Sequence, residues 1–152
     1  MATKPARFDR QAGQDWLLAC ARNPTAVRRA WAEEECARIP SGEHWRVAEG
    51  PLLPSLGAMK RLERARLGPV LADVSAGQAW WLLPIGVGHE LDGTRQLTVH
   101  PPGWALACPP VLYSLGERGW LEHPDGSGRL TDPTALGTAF GEDGRPRAEA
   151  AG

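Results

Sequence analysis

Apolar residues recur along this chain with two different periods, and their order sets the elements to expect. In DWLLACARNP, Trp16, Leu17 and Cys20 fall on one side of a short helix. Asn23 followed by Pro24 is a start signal, a capping side chain and then proline at the first helical position. The second helix is expected over residues 24–38, with Val27, Ala30 and Trp31 inward, Arg28, Arg29 and the run Glu33-Glu34-Glu35 outward, and Pro40, Ser41 and Gly42 ending it. Ser55 is placed to cap a third helix whose buried stripe is Leu56, Met59, Leu62 and Ala65. Gly68 and Pro69 stop that helix.

The period of two governs other segments. HWRVAEG reads as a strand with Trp45 and Val47 on one face, and PVLADV and AWWLLP as two strands about the turn Ser75-Ala76-Gly77-Gln78. RQLTVH alternates Leu97 and Val99 with polar neighbours, as a half-buried strand does. GWALACPP sets Trp104, Leu106 and Cys108 on one face and Ala105 and Ala107 on the other, small enough to admit a close-packed helix. The rest of the stretch from His100 to Gly126 reads as a proline-rich loop sealing the sheet. The expected fold is α+β, N-terminal helices packed on a mainly antiparallel sheet. Residues 13–141 form its single domain, between polar segments 1–12 and 142–152 that lack apolar periodicity and read as disordered ends.

Composition changes this picture little. A length of 152 residues suits one domain with a proper core. A formal charge of −1 excludes wholesale electrostatic attraction to nucleic acid or membranes, so any such binding needs a local basic face. The three cysteines, Cys20, Cys36 and Cys108, are far apart and odd in number; they read as small buried hydrophobes in a reducing compartment. With no signal region and no apolar run of membrane-spanning length, the expected location is the cytoplasm and no membrane partner is expected.

Candidate chemistry is sparse. His100, Cys108 and His123 have no ligand-like spacing; the plainer reading makes them a strand end, a core residue and a turn residue. Cys108 precedes Pro109-Pro110 and has no basic neighbour to lower its pKa. GVGHELDG does not open a helix, so it reads as a surface loop with Glu90 and Asp92 solvated. Glu49 and Asp73 lie on different strands, where a pair sharing metal ions is geometrically open but not required. Lys60, Arg61, Arg64 and Arg66 give the third helix a basic face for phosphates, with Trp80 or Trp81 as a stacking surface. The competing reading is a solvated helix face and one core tryptophan with its neighbour half exposed.

Taken in order, the segments DWLLACARNPTAVRRAWAEE, IPSGEHWRVAEGPLLPSLGAMKRLERARLGPVLADV, AWWLLPIG and GWALACPP resemble the N-terminal domain of bifunctional DNA primase/polymerases, in the small, diverged form found in GC-rich bacteria. The likeness spans residues 14–140 and rests on Asn23-Pro24, Trp31, the GPVL stretch at 68–71, residues 81–86, the strand ending in Pro109-Pro110, Trp120, and LTDP at 130–133. It implies an archaeo-eukaryotic primase-like fold around an RNA-recognition-motif-like sheet. Active members join nucleotides with magnesium or manganese held by a DxD-type motif, a catalytic histidine and a further acid. This chain contains no DxD or DxE, and Arg46 stands where an aspartate is expected. The resemblance therefore implies a primase-polymerase-like domain that has lost catalysis and binds DNA or nucleotides or regulates a partner. Two alternatives stand beside it: an active minimal primase or polymerase using Glu49, Asp73 and His100 with magnesium or manganese, and a protein–protein adaptor anchored by Trp80, Trp104 or Trp120.

Overall fold

The computed structural model describes residues 6–144. In chain order these form α1 (Ala6–Ala19), α2 (Pro24–Ala32), β1 (Ala37–Pro40), β2 (Arg46–Pro51), α3 (Leu52–Arg61), a 3-10 turn (Arg64–Arg66), β3 (Val70–Asp73), β4 (Gln78–Leu83), β5 (Thr98–Val99), β6 (Ala105–Cys108), β7 (Arg118–Glu122) and α4 (Pro133–Gly144). β5-β2-β4-β3-β7 is one antiparallel sheet in that spatial order, and β1 pairs with β6 in a second, also antiparallel. The architecture is α+β, as expected. No described helix is long and apolar enough to cross a membrane.

β4 explains the layering. Its run QAWWLL is apolar without interruption because both of its faces are buried. Trp80 and Leu82 enter one core with Leu17, Val27, Trp31, Trp45, Val47, Ile39 and Leu106, which brings α1, α2 and the β1–β6 pair onto that inner face. Ala79, Trp81 and Leu83 enter a second core with Ala58, Leu62, Leu136 and Phe140, which brings α3 and α4 onto the outer face. Trp45 and Val47 share the inner core, as their alternation predicts.

Several expectations give way. α1 begins at Ala6, so residues 6–12 are helical rather than an unstructured end, and α4 runs past residue 141 to Gly144. Residues 1–5 and 145–152, the remainder of those two segments, lie outside the described residues. α2 starts where expected, the Asn23 side chain accepting from the Ala26 amide at 3.1 Å, but stops at Ala32. Glu34 turns the chain through a left-handed conformation (φ 60°), and ARIP then pairs as strand β1 with β6. Ser55 does not cap α3: it lies inside that helix, fully buried, and accepts a 3.2 Å bond from Trp81 Nε1. The buried stripe is accordingly Ser55, Ala58 and Leu62, with Ser55 against the Trp81 indole, while Ala65 is exposed.

β7 and α4 occupy the stretches expected to be closing loops. Asp132 Oδ2 accepts from the Ala135 amide at 2.8 Å and Pro133 opens α4, the same signal that opens α2. The half-buried strand expected at RQLTVH shortens to Thr98–Val99.

Candidate functional site

On the inner face, facing pairs across the sheet put Glu49 opposite Trp80, Trp80 opposite Leu71, and Asp73 opposite Arg118. All of these side chains therefore emerge on one side. His100 continues the β5 pairing, its amide donating to the Val47 carbonyl at 2.9 Å, and so arrives beside Glu49. His100 Nε2 lies 2.8 Å from Glu49 Oε1, with side chains 17% and 25% exposed. The imidazole stacks on Trp104 at 3.8 Å between ring centres, and Arg46 donates twice to the His100 carbonyl. Two of the three residues proposed for catalysis are thus brought together.

The third is not. β4 runs between Glu49 on β2 and Asp73 on β3, so the strands that carry the two acids lie about 10 Å apart before the offset along them is counted. Asp73 has its own cation: Arg118 Nε donates to Asp73 Oδ2 at 3.1 Å, with both side chains under 20% exposed. Arg118 Nη1 donates to the Ala107 carbonyl at 2.8 Å and its guanidinium lies 4.4 Å above the Trp80 ring. The Ser75 hydroxyl, donating at 2.6 Å, holds the Asp73 carboxyl below the usual carboxylate range, and the Ala76 amide and Arg118 add to this against the effect of burial. Two carboxylates sharing a pair of ions must converge on them; these are each tied to a separate base.

Trp80 cannot serve as a stacking surface, being 6% exposed in the inner core beneath Arg118. Trp81 is buried entirely, so neither tryptophan is half exposed. Trp104 and Trp120 are engaged as well, the first with His100 and the second through Nε1 to the Pro109 carbonyl at 3.3 Å. Of the three tryptophans named for an adaptor, Trp80 is buried, while Trp104 and Trp120 are half-buried.

The basic residues gather on the opposite face. Lys60 and Arg61 end α3, where a helix C-terminus favours cations. Arg64 and Arg66 belong to the 3-10 turn rather than to that helix. Segment 129–132 is stitched beside the turn: the Gly68 amide donates to Thr131 Oγ1 at 2.9 Å, the Thr131 amide to the Leu82 carbonyl at 3.0 Å, and the Asp132 amide to the Arg66 carbonyl at 3.0 Å. A Cβ on Gly68 would stand 2.6 Å from the Leu130 backbone, so only glycine lets the two segments pass. This stitching delivers a fifth cation, Arg129, whose Nη1 donates to the Arg64 carbonyl at 3.3 Å. Acids pair with part of the ridge: Glu122 faces Arg64 at 3.7 Å, and Glu63 and Asp132 face Arg66 at 3.2 and 3.5 Å. The ridge gathers these basic side chains on a chain whose net charge is −1.

His123 Nδ1 pairs with the Pro124 carbonyl at 2.7 Å, away from His100, and Cys108 is fully buried, burial pushing its thiol pKa well up. Burial also raises the Cys20 and Cys36 thiols. Among the described residues, no three His, Cys, Asp or Glu side chains gather as a metal site. Glu90 and Asp92 are exposed in the loop expected of them, where Asp92 pairs with His89.

The residues that sequence reasoning missed are Arg118, Arg129 and Trp104 in its role beneath His100. Only strand register and the stitching of 129–132 assign them. Comparisons of the chain with protein-family models, with curated proteins and with solved structures found no match.

Proposed function

We propose that this chain is a nucleic-acid-binding module of diverged primase-polymerase type in which nucleotide-joining chemistry has been lost. The observation that supports binding is the arginine ridge: Lys60, Arg61, Arg64, Arg66 and Arg129 on one rim, gathered by the α3 C-terminus, the 3-10 turn and the 129–132 segment. Arg64 and Arg66 are well exposed at 81% and 54%, as phosphate contacts require. The inner face supports the loss of chemistry. Glu49 is held by His100 and Asp73 by Arg118, with a strand between them, so a divalent ion would compete with a bound base at each carboxylate and find no second one nearby.

The test is a titration of labelled single-stranded oligonucleotide at low and moderate salt, with and without manganese and a nucleotide. Salt-sensitive binding without incorporation is the expected result. The slope of log affinity against log salt should fall by about 0.7 for each arginine neutralised on the ridge. Absence of binding at low salt would remove the reading. Metal-dependent incorporation that collapses in Glu49→Gln would replace it with an enzyme.

A further inference from the structure

Arg129 is the ridge cation that no helix or strand carries. It follows an exposed turn, residues 125–128, in which Gly126 and Gly128 take left-handed conformations (φ 91° and 80°). Its amide donates to Ser127 Oγ at 3.1 Å, a bond inside that same turn. An exposed arginine gives up chain and rotamer freedom when it grips a phosphate, and the cost falls when its backbone is held beforehand. Whatever holds Arg129 must therefore come from the residues after it.

Those residues are anchored. Leu130 packs against the inner core and Thr131 is fully buried. The Thr131 amide donates to the Leu82 carbonyl on β4 at 3.0 Å, and its Oγ1 accepts from the buried Gly68 amide at 2.9 Å. One residue thus ties the segment bearing Arg129 both to the middle strand of the sheet and to the chain just past Arg64 and Arg66. In that position Arg129 Nη1 reaches the Arg64 carbonyl at 3.3 Å. We infer that Thr131 is a positioning residue for nucleic-acid binding, its hydroxyl fixing Arg129 beside Arg64 so that both meet the phosphates of one strand. This rests on the nucleic-acid reading above and adds to it the device that sets the geometry of the ridge.

The experiment titrates a labelled single-stranded oligonucleotide, over a range of salt, against the wild type, Thr131→Val, Thr131→Ser, Arg129→Ala and the double variant Thr131→Val/Arg129→Ala. Valine keeps the branched shape without the acceptor, and serine keeps the acceptor. Thr131→Val should weaken binding about fivefold, the worth of one net hydrogen bond, and lower the salt slope by about 0.7, the share of one arginine. Thr131→Ser should keep the wild-type slope. In the double variant the two losses should not add, because Thr131 acts through Arg129. A merely structural role would lower the melting temperature of Thr131→Val and leave the slope of its folded form unchanged, which overturns the inference. Additive losses in the double variant overturn it as well. Should the valine variant not fold, hydrogen exchange of the wild-type Gly68 amide decides: bound oligonucleotide should slow it, and an unchanged rate overturns the role of Thr131. Wild-type binding that survives intact in Thr131→Val leaves the ridge standing without this device. Failure of the wild type to bind at low salt removes both together.

Discussion

The inner and outer faces of the five-stranded sheet treat charge in opposite ways. On the inner face each acid has a dedicated base, Glu49 with His100 and Asp73 with Arg118, and the pairs are half-buried beside Trp80 and Trp104. On the outer rim the ion pairs are exposed, Arg64 with Glu122 and Arg66 with Glu63 and Asp132, at exposures reaching 81%. Low exposure makes a pair structurally consequential, because losing one member strands the other away from water. High exposure makes a pair nearly neutral for stability and leaves its charge available to a partner. Residues that look catalytic in the sequence thus sit in half-buried pairs that the scaffold needs, while the candidate binding surface is the one that the scaffold barely needs.

This contrast can be broken in a definite order. Arg118→Met should do the most damage, about 3 kcal/mol, since it leaves Asp73 without its cation, the Ala107 carbonyl without its donor and the Trp80 ring uncovered. Urea unfolding measures it, and a loss below about 0.5 kcal/mol would mean that the inner pair is ornamental. Glu49→Ala comes next, at about 1–2 kcal/mol from the lost bond to His100, with oligonucleotide affinity untouched. A fall in affinity without a fall in stability would return Glu49 to the list of functional residues. Arg64→Glu and Arg129→Glu should shift stability by less than about 0.5 kcal/mol while lowering affinity and flattening its salt dependence. A stability loss as large as that of Arg118→Met would erase the distinction between the faces.

The smallest effect is on the acid limb. The folded-state pKa of Asp73 is depressed, so its contribution to stability is fully present above the ordinary aspartate value of about 3.9 and is lost as pH falls through the lower folded value. In Asp73→Asn this part of the acid limb should vanish, leaving stability below about pH 4 less steep than in the wild type. A limb of unchanged slope would show that Asp73 titrates alike in the folded and unfolded chain.

Signals in the sequence are legible where the chemistry is local. Asn23-Pro24 marks the start of α2, and the apolar run of β4 and the turn after Asp73 mark a central hairpin. Asp132-Pro133 carries the same start signal, but its setting among glycines and prolines made it look like a loop. β1 was hidden because Glu33-Glu34-Glu35 continues a plausible helix surface, and only pairing with β6 makes ARIP extended. The buried face of α3 lies about one position from the expected one, since Ser55, bonded to the Trp81 indole, and Ala58 enter the core.

For the candidate site the division is sharper. Residue identity alone made Glu49, Asp73 and His100 plausible acids and bases and made residues 60–66 basic. Which of them meet was decided by register: a strand's facing pairs bring His100 to Glu49 across 51 positions and Arg118 to Asp73 across 45. The sequence by itself determined the class of the fold, the helix starts and the supply of charges, because capping, alternation and charge act over a few neighbouring residues. Only the tertiary structure decided that Trp80 is core, that the acids lie apart and that Arg129 joins the ridge. Those outcomes depend on contacts between distant segments, whose free energies are set by burial and pairing and leave no periodic trace in the chain.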